Sequence, residues 1–430
     1  MQLKYNLEDR PAWQENLVYG LQWLAVTLPA VIILGKVLGG LDGSIEKEII
    51  YLQKLFAVTG LALLIQVFWG HRLPLVIGPA TVLLIGILAS QSSNGAAIYS
   101  SIFVGGLILT LLAVTGVFAK LQSLFTPRVV AVILLLVAFT MMPTILGLIG
   151  NGQDAAAGKQ LGFAGIFILL MFVGQRNLSG LWKSTLILIS MIAGSLAYFL
   201  VNPAWTQGSN GMNLPAIAFF AKDLNTAMVM EPGLLIAFLL CFLGLSINDL
   251  GSIQAVGSIL QADNMPRRIT RGITATGIAN MMAGFLGVIG PVNFSFSPGI
   301  IASTGCAARR SLVPTGIALF LLAFLPAVLF YLSFVPAVVI GCILLFIMCT
   351  QVAAGLMSAF DALKRVDEPH FDSALVIGLP ILVGIIVAFL PANITATFPV
   401  TLQPILGNGF VMGVVVSLLL EHVIFRPRPK

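Results

Sequence analysis

Asp249 is the only acidic residue deep within a stretch of this sequence apolar enough to cross a membrane. An intramembrane carboxylate is costly and marks a proton, ion or substrate pathway by default. Burial disfavours the charged form of a carboxyl, so Asp249 could exchange a proton near neutral pH and act as a proton-coupling group. The competing reading is a structural acid that braces a nearby backbone break. Asn248 and Ser252, four residues apart, share one helix face, and Gly251 between them permits close approach. With Asn293, Ser295 and Ser297 they could line a binding site. Asn and Ser both donate and accept hydrogen bonds, which suits the amide edges of a neutral heterocycle. Phe294 and Phe296 could stack on a ring, although aromatic residues serve packing equally well. Thr81 and Gln22 are the matching candidates from the first half of the chain.

Other chemistries lack their residues. Cys241, Cys306, Cys342 and Cys349 have no metal-ligand spacing and read as small packing residues. His71, His370 and His422 fall at the ends of apolar stretches and read as interfacial. There is no G-x4-G-K-[ST] segment, which disfavours ATP-driven transport. An intramembrane enzyme would need a converging nucleophile and base, and only Asp249 is available. No cofactor is expected beyond a proton or sodium as coupling ion.

The elements that position these residues follow from composition. Hydrophobic residues make up 58% of the 430 and charged residues 9%, against roughly 25% charged in soluble domains. The runs 73–119, 272–308, 311–360 and 373–420 contain no Asp, Glu, Lys or Arg. A span needs about 20 apolar residues, so most of these runs hold two helices. The chain therefore reads as an all-α integral membrane protein with fourteen spans between residues 16 and 425, among them span 3 (73–90), span 8 (231–254) and span 10 (291–307). Met1–Asn16 lacks the order of a signal peptide, so the first helix is expected to stay. With the N-terminus inside, seventeen of the 22 Lys and Arg fall on the inner side, all but Lys36, Lys47, Lys54, Lys159 and Lys222. The positive-inside rule expects that asymmetry for a multi-pass protein of the inner membrane with both termini cytoplasmic. The net charge of +6 is then a topology signal, and no nucleic-acid partner is expected.

The two halves resemble each other. Val76-Ile77-Gly78-Pro79 recurs as Val288-Ile289-Gly290-Pro291, an offset of 212. Leu111-Leu112-Ala113 recurs as Leu321-Leu322-Ala323, an offset of 210, and Phe125-x-Pro127-x-Val129-Val130 as Phe334-x-Pro336-x-Val338-Val339, an offset of 209. Seven spans per repeat would make the second copy enter the membrane from the opposite side, a plan shared by many secondary transporters. The first repeat is expected over residues 1–228 and the second over 229–430. A Gly-Pro pair inside an apolar run breaks a helix, so spans 3 and 10 should each run as extended backbone followed by a half-helix. Such backbone is tolerated at membrane depth only inside protein or along a cavity, and half-helix N-termini offer free N–H groups. A midplane site between the two breaks is the expectation.

The chain resembles the nucleobase–ascorbate transporters, the xanthine/uracil permease family, along nearly its whole length. The resemblance rests on Leu21-Gln22, Leu73-Pro74-x3-Gly78, the Pro127 segment, Gly251, Gly284-Phe285-x-Gly287 and Gly299-x4-Thr304-Gly305. It implies a seven-plus-seven fold with a core of spans 1–4 and 8–11 and a gate of spans 5–7 and 12–14. It further implies homodimer contacts through the gate and elevator-like transport of a nucleobase or similar small heterocycle, within membrane lipid. The ligand-holding positions differ. Asn248 stands where the family has a Glu, Phe296 and Ser297 where it has Glu or Gln and then Asn, and Trp23 where a His follows the first-span Gln. Ser295-Phe296-Ser297 with Thr304-Gly305 also resembles the sulfate permease family, which shares the fold and implies, as the alternative, an anion substrate held by half-helix N-termini. Those proteins usually carry a C-terminal regulatory domain beyond the point where this sequence stops, which tilts the expectation toward the nucleobase class.

Overall fold

With no water in the hydrocarbon layer, each backbone polar group of a spanning segment must be satisfied within the protein, and helices do this locally. The computed structural model describes residues 3–91, 93–121, 124–150, 154–202, 214–294, 297–364, 371–399 and 401–425, and they are mostly helical. The first half contains α1 (Trp13–Gly39), α2 (Ile45–Phe68), a short strand β1 (Ile77–Pro79), α3 (Thr81–Ala89) and α4 (Gly95–Val114). It continues with α5 (Pro127–Thr140), α6 (Met142–Gly150), α7 (Asp154–Asn177) and α8 (Leu186–Val201). The second half contains α9 (Pro232–Ile259), α10 (Met265–Leu286), a strand β2 (Pro291–Asn293) and α11 (Ser297–Thr304). After these come α12 (Val313–Leu322), α13 (Pro326–Leu332), α14 (Ala337–Lys364), α15 (Phe371–Ala388) and α16 (Gly409–Leu419).

Among the described residues, seven helices are long and apolar enough to cross a membrane on their own. They are α1, α2, α4, the α5–α6 run Pro127–Gly150, the Gly158–Asn177 part of α7, α9 and α14. The fourteen spans expected from the sequence, with spans 3 and 10 broken, are finer than this count. Three further apolar helices, Leu186–Val201, Ala374–Ala388 and Gly409–Ile424, are shorter than a full span, and two kinds of break account for others. The Gly-Pro segments leave only half-length helices, α3 and α11, after each strand. The first helical stretch of the uncharged run 311–360 is also bent by 105° between Leu322 and Pro326, where Pro326 opens α13 and cannot continue the preceding helix.

Two helix pairs pack with backbone nearly in contact. A methyl group at Gly60 of α2 would lie 2.8 Å from the Gly316 carbonyl and 2.7 Å from the Phe320 nitrogen of α12. A methyl group at Gly277 of α10 would lie 2.8 Å from the Gly106 carbonyl and 2.9 Å from the Thr110 nitrogen of α4. Gly106 and Thr110 precede Gly316 and Phe320 by the same 210 residues at which the Leu-Leu-Ala triplet recurs. Small residues allow this approach, and van der Waals packing, rather than the hydrophobic effect, holds helices together in lipid.

The N-terminal segment is tied down by pairing. Tyr5 forms a parallel bridge with Cys306, and the Lys4 and Arg309 amides donate to Gly305 and Leu7 carbonyls at 2.8 and 3.2 Å. Arg309 also forms an ion pair with Glu8 at 2.8 Å.

Candidate functional site

β1 and β2 pair antiparallel at the centre of the molecule, with Ile77 opposite Asn293, Gly78 opposite Val292 and Pro79 opposite Pro291. The Ala80 amide donates to the Gly290 carbonyl at 3.0 Å and the Phe294 amide to the Val76 carbonyl at 2.8 Å. Antiparallel ladders alternate between pairs that exchange hydrogen bonds and pairs whose polar groups point outward. Pro79 and Pro291 therefore occupy an outward-pointing pair, where a missing N–H costs the ladder nothing. The Asn293–Ile77 pair is also of this kind, which aims the Asn293 amide and carbonyl at α9.

That outer edge is satisfied by side chains. Asp249 Oδ1 accepts from the Asn293 backbone amide at 3.1 Å and from Asn293 Nδ2 at 2.6 Å. Asp249 Oδ2 accepts from Thr276 Oγ1 at 2.7 Å. The Asn293 carbonyl accepts from Asn248 Nδ2 at 3.4 Å and shares the one Ser252 hydroxyl proton, at 3.1 Å, with the nearer Asn248 carbonyl at 2.8 Å. Asn280 Nδ2 donates to the Pro291 carbonyl at 2.9 Å. The edge of β2 thus meets side chains of α9 and α10 where a third strand would otherwise be required.

The brace closes into a ring through a residue that the sequence placed elsewhere. His71, expected at an interface, is fully buried. Its Nδ1 accepts from the Leu73 amide at 2.9 Å, so Nε2 carries the proton and donates to Asn293 Oδ1 at 3.1 Å. The His71 amide donates to Gln66 Oε1 at 3.1 Å, and Gln66 Nε2 donates to Thr276 Oγ1 at 3.1 Å. Gln66, Thr276, Asp249, Asn293 and His71 therefore form one buried circuit joining α2, the turn before β1, α9, α10 and β2. Two glycines admit neighbouring groups to the breaks: a side chain at Gly78 would overlap the Phe294 ring, and one at Gly290 would overlap Asn280 Oδ1.

A cavity of about 20 Å³, room for about one water, lies where the first turn of α3 meets α9, β2, α5 and α14. Thr81, Asn248 and Gln351 supply its polar groups, and Ala80, Ile133, Val137 and Val292 are among the apolar ones. Of the residues expected to bind substrate, Thr81 and Asn248 come together here. Ser252, Asn293 and Ser297 are buried within the brace. Ser297 Oγ accepts from the Val76 amide at 3.0 Å and donates to the Phe294 carbonyl at 3.2 Å. Gln22 lies on α1 with a buried Oε1 that has no protein partner, and it does not line this cavity. Its neighbour Trp23 is buried and donates to Ser311 Oγ at 3.0 Å. Phe296, Ser295 and His370 lie outside the described residues. Gln66, Thr276, Asn280 and Gln351 were not singled out in the sequence, although each is a polar residue within an apolar run.

The sequence and fold have clear relatives. The chain is 25% identical over 431 residues to the putative purine permease YwdJ of Bacillus subtilis, covering 95% of this chain and 96% of that one. It is 23% identical over 432 residues to the nucleobase transporter PlUacP of Paenibacillus larvae, covering 96% and 95%. It is 24% identical over 389 residues to the uric acid permease PucJ of Bacillus subtilis, covering 87% and 85%. In fold it is similar to the transmembrane domain of the cyanobacterial bicarbonate transporter BicA, with TM-score 0.58 and 14% identity over 87% of this chain and 96% of that one. It is also similar to the murine anion transporter Slc26a9, with TM-score 0.60 and 12% identity over 97% and 69%. The Xan_ur_permease model of the permease family matches residues 14–393, and the chain belongs to that family of multi-pass membrane transporters.

Proposed function

We propose that the protein is a secondary transporter for a nucleobase or a similar small heterocycle. The observation that carries this reading is the meeting of Thr81, at the N-terminus of half-helix α3, with Asn248 and Gln351 in one otherwise apolar cavity. Amides and a hydroxyl donate and accept, as the edge of a neutral heterocycle requires. Among the described residues no Lys or Arg lines the cavity, so an anion there would depend on the half-helix N–H groups. The names of the curated relatives support the same substrate class.

The proposed architecture is two inverted repeats, 1–228 and 229–430. Its support is the pairing of Pro79 with Pro291, which are equivalent at the 212-residue offset, and the matching α2–α12 and α4–α10 contacts. The cavity lies where the proposed core elements α3, α9 and β2 face the proposed gate elements α5 and α14. That placement supports an elevator-like movement of core against gate, with a homodimer formed through the gate. Both termini are proposed to lie in the cytoplasm, with the protein in the inner membrane. A proton is the proposed coupling ion and Asp249 its proposed carrier. A proton there would compete with the Asn293 donors, so protonation would loosen β2 beside the cavity.

The test is a thermal-shift panel of purified protein with uracil, xanthine, adenine, sulfate, bicarbonate and dicarboxylates. A ligand that binds only the folded state raises the melting temperature with saturation. Stabilisation by a base alone supports the proposal; stabilisation by an anion alone replaces it with the half-helix anion reading.

A further inference from the structure

A second and larger cavity adjoins the first. It measures about 220 Å³ and is lined by Phe118, Phe125 and Val130 before and within α5, and by Ser246, Ile247, Leu250, Gly251 and Gln254 of α9. Ile247 lines both cavities. Ile247, Leu250, Gly251 and Gln254 fall at intervals of three, four and seven residues, so they form one face of α9 leading away from Asn248. Gly251 and Gln254 are exposed, so this second space opens at the protein surface.

Gly251 is unexplained by packing. A side-chain carbon there would meet nothing within 4 Å, and its backbone is helical. Glycine in a helix interior is destabilising relative to alanine, yet no neighbouring backbone requires it. Its effect is to leave the floor of the cavity clear. The chemistry of the remaining walls is two aromatic rings, aliphatic side chains, one exposed primary amide and the buried Ser246 hydroxyl, whose proton is given to the Leu243 carbonyl at 2.8 Å. Aromatic faces favour a flat ring, and an amide can pair with a lactam or amidine edge. The central cavity has room for about one water, whereas this space is about ten times larger.

We propose that this vestibule is a second binding station for the transported heterocycle, with Phe118 and Phe125 contacting its ring, Gln254 reading its edge and Ile247 separating it from the central site. The station rests on the heterocycle reading above. A ring held there would be partly desolvated before Ile247 moves aside, so the barrier to entering or leaving the central site is divided into two smaller steps.

The experiment uses the full chain in detergent with xanthine and uracil as probes. In a Phe125→Trp variant, base titration should quench emission beyond any change of the five native tryptophans, with the same concentration dependence as the thermal shift. Adding Gly251→Leu, which has room to fold, should abolish that quench. Gln254→Leu, at an exposed position, should raise the half-saturating concentration for uptake by about fivefold, the effect of one lost hydrogen bond. The inference is overturned if a base stabilises the wild-type protein but the Phe125→Trp signal does not respond, or if the response survives Gly251→Leu. It is equally overturned if Gln254→Leu and Gly251→Leu proteins transport as wild type. If neither base stabilises the wild-type protein or is transported by it, the heterocycle reading fails and the station fails with it.

Discussion

Asp249 accepts both the backbone amide and the side-chain amide of Asn293 on a single oxygen, at 3.1 and 2.6 Å, and thereby takes the place of a third strand on β2. Removing the carboxylate leaves these two donors and the Thr276 hydroxyl buried without an acceptor. A stranded buried donor costs about 1–3 kcal/mol. Asp249→Ala should therefore lower the melting temperature of ligand-free protein, by the equivalent of about 3 kcal/mol or more for the three donors together. Asp249→Asn retains one acceptor toward Asn293 and should cost less. Uptake separates the brace from the proposed coupling role: folded Asp249→Asn protein should equilibrate substrate without concentrating it. Accumulation against a gradient by that variant would remove Asp249 from coupling and leave it a purely structural acid.

The glycines of the two breaks should tolerate almost nothing. Gly78 faces the ring of Phe294 and Gly290 faces the amide of Asn280. Each is the residue before a proline on the paired strands, so relief by backbone movement would disturb the ladder. Overpacking of this kind costs about 1–3 kcal/mol. Gly290→Ala should displace Asn280 from the Pro291 carbonyl, and Gly78→Ala should displace Phe294. Melting temperature and uptake should fall together in both variants; unchanged uptake in either would show that the neighbouring side chain can step aside at no cost.

Asn248 offers the cleanest separation of binding from folding. It is half-buried beside the cavity, and its bond to the Asn293 carbonyl is long, with the shared Ser252 proton also reaching that acceptor. Asn248→Ala should change ligand-free stability by less than about 1 kcal/mol, because the carbonyl keeps a partner. Affinity for the base should fall about tenfold, as expected for losing a paired hydrogen-bonding edge. Isothermal titration and ligand-free melting on the same preparation check the two halves. A large loss of stability with unchanged affinity would place Asn248 in the brace instead.

Much of the central geometry is legible in the sequence because a Gly-Pro pair inside an apolar run has few physical outcomes. The recurrence of VIGP marks both breaks, and Pro79 and Pro291 meet each other. What the sequence does not show is direction. Asn293, Ser252 and Ser297 have the right side chains to hold a ligand, but the same side chains can satisfy a strand edge, and the alternation of the ladder decides between the two uses. His71 is hidden for a different reason. A histidine after an apolar run looks interfacial, and only the turn at Arg72, with φ of 55°, folds it back beneath β2. Residue types fix what a group can bond to, while the fold fixes which partner it meets.

The N-terminal strap should respond to acid. The Arg309 guanidinium hydrogen-bonds to the Glu8 carboxylate and holds its pKa below the ordinary value of 4.5, an effect that partial burial opposes. A carboxylate whose pKa is lower in the folded state stabilises the contact at pH values above its unfolded pKa, and that stabilisation is lost as pH falls through the folded value. Glu8 is 59% exposed at its side chain, so solvent screening keeps the effect small. The expected readout is amide protection at Lys4 and Arg309, whose backbone bonds zip residues 4–7 onto 305–309. Protection factors, which divide out the intrinsic pH dependence of exchange, should stay constant near neutral pH and decline below about pH 4. In Glu8→Gln they should be lower at pH 7 and nearly flat across the range. Identical profiles for the two proteins would mean that backbone pairing holds the strap without help from the ion pair.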